Sequence, residues 1–454
     1  MSLTHCLTVP FEGDGEGIEE LTWAQFAAWR SMLLVKATEW TGGTMPLAEG
    51  TTVAGIAQLL GFIMSRHQSL RTRLLPGDGD APPKQCLAPS GEITLEVYAA
   101  AGDPAAQAAK IRARYEVAPW DPATDWPVRM AVIADGDRAV HLVALYCHMV
   151  IDGYGFEALT ADLANLDPAT GRALAPVEGI QPLELARAQR GRAARRHHEA
   201  SLRYWERNLR AIEPRRLPRA LEPAPQRWWE ATLTTPATAL GLTTVADRTR
   251  VHSGTVLLAA YAVMLAELSG QPVGAFRIVV SNRFRPGFAA SVSNLAMAGL
   301  AVVDTAGAGF DEVVARAWRG QLAAGLHAYY QPRDLWALVE RVGAERGTPL
   351  DTLCYFNDRR RSAAQATEAT APPGPGPITE ALKFTRIAWG PRSNEFDATS
   401  YLHVDAVADS IELTWRVDTA AVSPAMLASG LRRIESLIVD AALSGASLAG
   451  TTAA

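Results

Sequence analysis

The sequence predicts an α/β (α+β) protein with two domains, and three observations support this expectation. The chain has 454 residues, 48% of them apolar and 20% charged, which is enough for a large core and suits two domains better than one. Helix-like and strand-like patterns alternate along the chain and recur in a similar order in its two halves. A stretch rich in proline and charge separates the halves, so we expect a domain at 1–175, a linker at 176–225 and a domain at 226–454.

The first half contains recognisable helix and hairpin signals. Apolar residues at 22–40 have helical spacing with Thr22 as a plausible N-cap, and 51–75 read as a helix that runs into a strand. The turn sequence at 134–137 lies between two alternating apolar runs, which predicts a β-hairpin. A further helix is expected from Phe156.

The second half repeats this alternation of helices and strands. The expected elements are a helix at 252–270, a strand at 272–284, a helix at 310–330, strands at 351–358 and 409–418, and a final helix at 424–445. The small-residue and proline content of 361–377 predicts a flexible loop inside this half.

Charge and cysteine usage exclude several classes of function. Acidic residues outnumber basic ones, 48 to 43, so the net charge of −5 does not favour nucleic acid or an anionic membrane as a partner. Neither a signal peptide nor a run approaching about 20 apolar residues is evident, and a cytoplasmic protein is expected. The four cysteines are widely spaced, which predicts reduced thiols, three of them in the core, and no metal site.

The stretch YCHMVIDGYG at 146–155 carries the chemistry that the sequence offers. His148 is expected at the end of a buried strand, with Asp152 and Gly153 in the turn that leads to a helix. A neutral imidazole can take a proton from an amine or hydroxyl nucleophile, although the same pattern also fits a satisfied core histidine followed by a turn. A buried Asp152 needs a cation, so an arginine elsewhere should pair with it. Gly153 would let a reacting group approach the backbone closely.

Residues 148–153 and several other segments resemble the motifs of one known family, and they occur along the chain in that family's order. HMVIDG resembles the H-H-x-x-x-D-G signature of the condensation domains of non-ribosomal peptide synthetases, in the superfamily that includes chloramphenicol acetyltransferase. TWAQFAAW at 22–29 and RHQSLRTRL at 66–74 are similar to that family's first and second motifs, with Ala27 in place of an arginine and Gln68 in place of a glutamate. Weaker similarities follow at 281–284, 291–297, 329–339 and 354–358, so the resemblance covers approximately residues 8–442.

The resemblance implies a fold and a reaction. The fold would be a V-shaped pseudo-dimer of two acetyltransferase-like subdomains, each a mixed sheet flanked by helices, with the motif at their interface. The reaction would transfer an acyl or aminoacyl group from the phosphopantetheine thioester of an acyl or peptidyl carrier protein to a small-molecule amine or alcohol. The product would be an amide or ester in natural-product or antibiotic biosynthesis. We expect a free-standing monomer with no directly bound cofactor, whose donor is supplied by a separate carrier protein.

The resemblance also assigns residues. His148 and Gly153 match the catalytic positions, and Asp152 matches a structural aspartate whose ion pair would be with Arg283. Asn357 and Tyr154 are assigned to the substrate channel.

Cys147 departs from the signature because it replaces the first histidine. Neighbouring strand residues point to opposite faces, so Cys147 should pack inward when His148 faces the channel. We therefore expect a structural cysteine and not a Cys–His nucleophilic pair.

Three other functions remain open at this point. The chain could be a catalytically inactive relative that recruits a partner enzyme such as an oxygenase, or an acyltransferase that uses a soluble thioester. Epimerisation of a carrier-bound aminoacyl group would need a second acid/base opposite His148, usually a glutamate, and the sequence does not identify one.

Overall fold

The computed structural model describes residues 2–77, 81–217, 221–360 and 372–449. The chain divides into two compact units, and the first unit extends to Arg196 and also includes Ser281–Ala296. The second unit consists of His197–Val280 and the chain from Met297 onward. A segment that lies between two strands of the second unit is therefore part of the first.

The first unit contains eight strands and five helices within the described residues, and a sixth helix begins there and continues into the second unit. In chain order these are β1 (Leu3–Glu12), β2 (Gly17–Glu20), α1 (Trp23–Val35), β3 (Trp40–Pro46), α2 (Val53–Arg66), β4 (Thr72–Leu75), β5 (Lys84–Leu87), β6 (Ser90–Ala99), α3 (Pro104–Val117), β7 (Val128–Asp135), β8 (Arg138–Cys147), α4 (Gly153–Asp162), α5 (Pro182–Gln189) and α6 (Arg192–Ala211).

Two sheets organise the first unit. A five-stranded sheet has the order β1-β6-β7-β8-β3 with β6 and β7 parallel, and a three-stranded sheet has the order β2-β5-β4. The hairpin expected at 134–137 is confirmed, since β7 and β8 pair antiparallel across it. Thr22 is the N-cap of α1 and forms a capping box with Gln25, which satisfies two amides that the helix leaves unpaired. Both faces of β8 are buried along most of its length, so β8 is a central strand whose end is held rigidly.

Within the described residues, the second unit contains seven strands and six helices in addition to the end of α6. These are β9 (Trp228–Thr235), α7 (Pro236–Thr249), α8 (Ser253–Ser269), β10 (Val273–Val280), β11 (Met297–Asp304), α9 (Phe310–Leu326), α10 (Pro332–Glu345), β12 (Cys354–Asp358), α11 (Pro375–Ala381), β13 (Arg386–Ser393), β14 (Ser400–Val407), β15 (Ser410–Asp418) and α12 (Pro424–Ala449).

The strands of the second unit form one mixed sheet in the order β11-β10-β12-β14-β15-β9-β13. The pairs β10–β12 and β12–β14 are parallel, and the others are antiparallel. One face packs on helices through a continuous apolar core that includes Phe356, Leu402 and Trp415. Strand side chains alternate between faces, so residues 355, 357, 401, 403 and 416 lie on the other face.

Three sequence-based expectations, on the linker, the flexible loop and the cysteines, can be compared with this architecture. The region 176–225, expected to be a linker, contains all of α5 and α6, and the boundary between the units falls within α6. Most of the loop expected at 361–377 lies outside the described residues, and α11 begins at Pro375. Only two cysteines, Cys147 and Cys354, are buried, so the expectation of three core cysteines is wrong.

The described helices were also compared with the length and hydropathy of a membrane span. No single one is long and apolar enough to cross a bilayer, and α7 with α8 meets the requirement only as a pair bent by 104°. In the same ranges, no group of three or more His, Cys, Asp or Glu side chains is placed to hold a metal ion.

Candidate active site

His148 is the first residue after β8. Hydrogen bonds hold both its backbone N–H and its backbone carbonyl oxygen. Its N–H donates to the carbonyl oxygen of Glu39 at 2.7 Å, and its own carbonyl oxygen accepts from Nδ2 of Asn294 at 2.9 Å. The imidazole is half-buried. A rigid strand end therefore presents a side chain that keeps contact with solvent.

Hydrogen bonding defines the tautomer of His148. Nδ1 lies 3.0 Å from the carbonyl oxygen of Ile151 and 3.2 Å from Oγ1 of Thr41. A carbonyl oxygen can only accept, so Nδ1 carries the proton in the neutral ring and Nε2 carries the lone pair. No group in the described part of the protein hydrogen-bonds to Nε2. The imidazole is therefore oriented as a base whose accepting nitrogen is available.

Asp152 is buried and fully hydrogen-bonded at the start of α4. Oδ1 accepts from the Gly155 amide at 2.7 Å and from Nη2 of Arg283 at 2.7 Å. Oδ2 accepts from the amides of Leu295 at 2.8 Å and Ala296 at 3.0 Å. These four bonds occupy the carboxylate, so Asp152 is not available for proton transfer. The expected ion pair with Arg283 is present.

Arg283 holds the segment 281–296 together as well as pairing with Asp152. Nη1 donates to the carbonyl oxygens of Phe288, at 3.0 Å, and Ser291. Nη2 donates to the carbonyl oxygen of Ser293 at 2.8 Å. The guanidinium thus fixes the loop that supplies amides to Asp152 and an amide to His148.

The two glycines of the motif have different surroundings. A Cβ on Gly155 would lie 2.6 Å from the Ser293 carbonyl oxygen and 2.9 Å from Cγ1 of Ile151. A Cβ on Gly153 would meet nothing within 4 Å, and Gly153 is exposed. The close approach inside the protein therefore occurs at Gly155, whereas the space over Gly153 is open.

Cys147 is completely buried, as expected for a structural residue. Its Sγ lies 3.9 Å from Sδ of Met32. Burial raises the pKa of the thiol to about 12. A thiol in this environment is not a nucleophile at neutral pH.

The remaining predicted site residues, Tyr154 and Asn357, lie in different units. Tyr154 is the second residue of α4 and is 40% exposed. Asn357 is half-buried on β12 of the second unit, where it pairs with His403 of β14. The structure thus brings His148, Asp152 and Arg283 into one hydrogen-bonded assembly, and Asn357 belongs to a separate sheet.

Sequence reasoning missed four contributors to this assembly: Thr41, Ile151, Gly155 and Asn294. Asn294 lies within the segment 291–297, which is similar to a family motif, and this similarity could have indicated that Asn294 belongs to the site. The Ile151 carbonyl and the Thr41 hydroxyl leave no comparable signal, since their roles depend on where β3 and the turn are placed in space.

Comparison with known proteins identifies the family of this chain. The Condensation domain family model matches residues 45–350, which is more than half of the chain. The chain belongs to the condensation domain family. Amide or ester bond formation of the non-ribosomal peptide type is the general chemistry that this membership implies.

Two curated relatives are large synthetases. The chain is 32% identical over 143 residues to the probable non-canonical nonribosomal peptide synthetase CymA of Salinispora arenicola (strain CNS-205), a match covering 32% of this chain and 2% of the relative. It is also 32% identical over 158 residues to the phosphinothricin tripeptide synthetase PhsB of Streptomyces viridochromogenes, covering 34% of this chain and 13% of the relative. The chain therefore spans a small part of the length of these relatives.

Solved structures share the fold over nearly the whole chain. A condensation domain that mediates chain release from the enacyloxin polyketide synthase has a TM-score of 0.72 at 18% identity, covering 96% of this chain and 84% of its own. SgcC5 from Streptomyces globisporus has a TM-score of 0.69 at 16% identity, with coverages of 93% and 98%. The X-domain from teicoplanin biosynthesis has a TM-score of 0.68 at 19% identity, with coverages of 95% and 96%. At these identities the likeness shows the fold alone.

Proposed function

We propose that this protein is a condensation enzyme that transfers an acyl or aminoacyl group from a carrier-protein phosphopantetheine thioester to an amine or alcohol. The observation that carries the proposal is the hydrogen bond between Nδ1 of His148 and the Ile151 carbonyl oxygen. It leaves the lone pair of Nε2 free on a side chain that is half-buried at a strand end. A core histidine with both nitrogens satisfied would not have this arrangement.

His148 acts as the proton acceptor in this reaction. The nucleophilic nitrogen or oxygen attacks the thioester carbon while its proton passes to Nε2 of His148. The carbon–sulfur bond then breaks, and the thiolate of the phosphopantetheine arm leaves with the proton returned by the imidazolium. Nδ1 keeps its proton and donates it in a hydrogen bond to the Ile151 carbonyl oxygen throughout, so the ring keeps its orientation.

Gly153 supports the same step from the start of α4. It is the first residue of the helix, and its N–H is one of the amides that have no acceptor within a helix. The open space over this residue lets a thioester oxygen come close to that N–H, where the developing negative charge is stabilised. Asp152 and Arg283 hold the turn in place and do not take part in proton transfer.

The donor and the acceptor are substrates and not resident groups. The phosphopantetheine arm belongs to an acyl or peptidyl carrier protein, and the acceptor is a small molecule with a free amine or hydroxyl. Asn357 is assigned to the substrate channel through its match to the family pattern.

The decisive variants are His148→Ala and His148→Asn, assayed with carrier proteins loaded with candidate acyl groups and followed by intact mass. Asparagine keeps an N–H close to the position of Nδ1, so it retains the bond to Ile151 but provides no base. Both variants are expected to lower the transfer rate by roughly two to four orders of magnitude, while His148→Asn keeps the thermal midpoint of the wild type. The exposed His197→Gln serves as the control and should leave the rate unchanged.

Two results would overturn the proposal. An unchanged rate in His148→Ala would remove the histidine from the chemistry. A wild-type protein that transfers no acyl group but forms a stable complex with an oxygenase would favour the recruitment role. Comparing a carrier-bound donor with its soluble cysteamine thioester distinguishes the two kinds of donor.

A further inference from the structure

The face of the seven-stranded sheet opposite the apolar core carries a row of aromatic and hydrogen-bonding side chains. The β12–β14 register places Tyr355 beside Tyr401 and Asn357 beside His403. The β14–β15 register places Arg416 opposite Tyr401. All five side chains are half-buried, so this face is neither a closed core nor a fully solvated surface.

The imidazole of His403 is held in one orientation by stacking. Its ring centroid lies 4.2 Å from that of Tyr401 at an interplanar angle of 22°, and Tyr401 in turn stacks on Tyr355 at 4.9 Å and 24°. Nδ1 of His403 is buried without a hydrogen-bond partner in the described part of the protein. An unsatisfied buried nitrogen is unfavourable because it has lost its hydrogen bond to water, and each such group in a native protein calls for a reason.

Arg416 lies diagonally across the strand pair from His403, and its hydrogen-bonding capacity is little used. Its Nε has no hydrogen-bond partner among the described residues, and Nη2 is 3.5 Å from Oγ of Ser393. The guanidinium stacks over Phe396 at 4.5 Å. Its acidic neighbour is Glu230, whose Oε2 lies 4.0 Å from Nε, beyond hydrogen-bonding distance.

Arg359 carries the second guanidinium near His403, and its hydrogen-bond donors, unlike those of Arg416, are already used. It forms a two-pronged contact with Asp405, with one bond of 3.0 Å from Nε to Oδ1 and a second from Nη2 to Oδ2. A bidentate pair of this kind uses the donors that a carboxylate ligand would need. Arg416 therefore has donors that can bind a further anion, whereas the donors of Arg359 are occupied by Asp405.

We propose that Arg416 and His403, with Asn357 and Tyr401 beside them, form a subsite for a carboxylate carried by the acceptor substrate. The inference rests on the proposed function and narrows its acceptor to an amine or alcohol that is also a carboxylic acid. The guanidinium donates two parallel N–H bonds to the carboxylate, and the neutral imidazole contributes a third donor. Tyr401 and Phe396 supply an apolar edge that suits an aromatic or cyclic acceptor.

The binding test uses benzoate and its neutral isostere benzamide, with the His403 imidazole signals observed by NMR and assigned from His403→Asn. Benzoate is expected to shift these signals saturably, and benzamide to leave them unchanged.

Arg416→Gln should weaken benzoate binding by roughly tenfold or more. Glu230→Gln should strengthen it, because the competing carboxylate is removed. Arg359→Gln is the matched control, since it removes a guanidinium that Asp405 already occupies. Equal responses to benzoate and benzamide, or an unaffected Arg416→Gln, would overturn the subsite.

A kinetic test separates this inference from the proposed function. Phenylalanine and 3-phenyllactate are compared with their methyl esters as acceptors of the same carrier-bound acyl group. The free acids should react with the higher kcat/KM, and Arg416→Gln should remove that preference while Arg359→Gln preserves it. Transfer to acids and esters at equal rates would refute the subsite and leave the proposed function intact. Benzoate binding at His403 without transfer to any acceptor would refute the proposed function and leave the subsite intact.

Discussion

Nη2 of Arg283 donates to Oδ1 of Asp152 at 2.7 Å, across 131 positions of sequence. The two side chains are 10% and 3% exposed, so neither charge is well solvated without the other. Asp152 also caps α4 and accepts the amides of Leu295 and Ala296. One ion pair therefore fixes the start of α4 against the loop that holds the His148 carbonyl.

Removal of Arg283 should destabilise the protein because it leaves a buried carboxylate unpaired. We expect Arg283→Met to lower the free energy of unfolding of the first unit by about 3–5 kcal/mol, measured by urea denaturation. Arg248→Met is the control, since Arg248 pairs with Asp311 at the surface and such pairs contribute about 0–1 kcal/mol. Equal midpoints for the two variants would contradict the assigned role of Arg283.

The two glycines of the motif should respond in opposite ways to alanine. Gly155→Ala places a Cβ against the Ser293 carbonyl oxygen and should destabilise the protein, as overpacked sites typically cost 1–3 kcal/mol. Gly153→Ala meets no protein atom, so its thermal midpoint should equal or exceed that of the wild type. If the thioester passes over Gly153, this stable variant should still lose about 10²-fold in transfer rate. A fully active Gly153→Ala would remove the close-approach role.

Cys147 should be much less reactive than the exposed Cys6. Its complete burial and raised pKa predict that iodoacetamide at pH 8 labels exposed Cys6 readily and leaves Cys147 unmodified. Labelling in urea should then reach both. Mass mapping of labelled peptides gives the result, and equal labelling rates in the native protein would show that Cys147 is accessible.

Local sequence signals predicted those parts of the fold that local physics determines. Thr22 is the N-cap that the helix pattern implied, and it also forms a capping box with Gln25. The turn at Gly136, with a positive φ of 59°, closes the expected hairpin. The region 176–225 was expected to separate the two halves because it is rich in proline and charge, and the structure places helices α5 and α6 within it. Pro182 lies at the first turn of α5, where a missing N–H costs nothing.

The candidate site was predictable only for side chains with charge or unusual chemistry. A buried Asp152 requires a cation, and the family resemblance pointed to Arg283. The bonds from Nδ1 of His148 to Ile151 and from Asn294 to the His148 carbonyl involve backbone atoms, which every residue possesses. Likewise, sequence shows two glycines in the motif, but only the position of Ser293 reveals that Gly155 is the one without room for a side chain.

The environment of His403 leads to a prediction about acid stability. Burial, followed by the positive charges of Arg359 and Arg416, lowers the pKa of this imidazole from 6.5 to about 3. Above pH 6.5 His403 is neutral in both the folded and the unfolded chain and contributes no pH dependence. Below pH 6.5 the unfolded chain binds a proton that the folded protein does not, so stability falls as the pH drops, by up to about 1.4 kcal/mol per pH unit until the pH approaches 3.

Replacing His403 with a residue that cannot ionise should remove this contribution. The free energy of unfolding of His403→Asn is expected to change less between pH 6.5 and pH 4.5 than that of the wild type, although the variant can be less stable at pH 7.5. Exposed His5→Gln is the control and should follow the wild-type curve. Urea titrations at pH 7.5, 6.5, 5.5 and 4.5 provide the comparison. Parallel curves for His403→Asn and wild type would mean that His403 binds protons equally well in the folded and unfolded protein, and would contradict the lowered pKa.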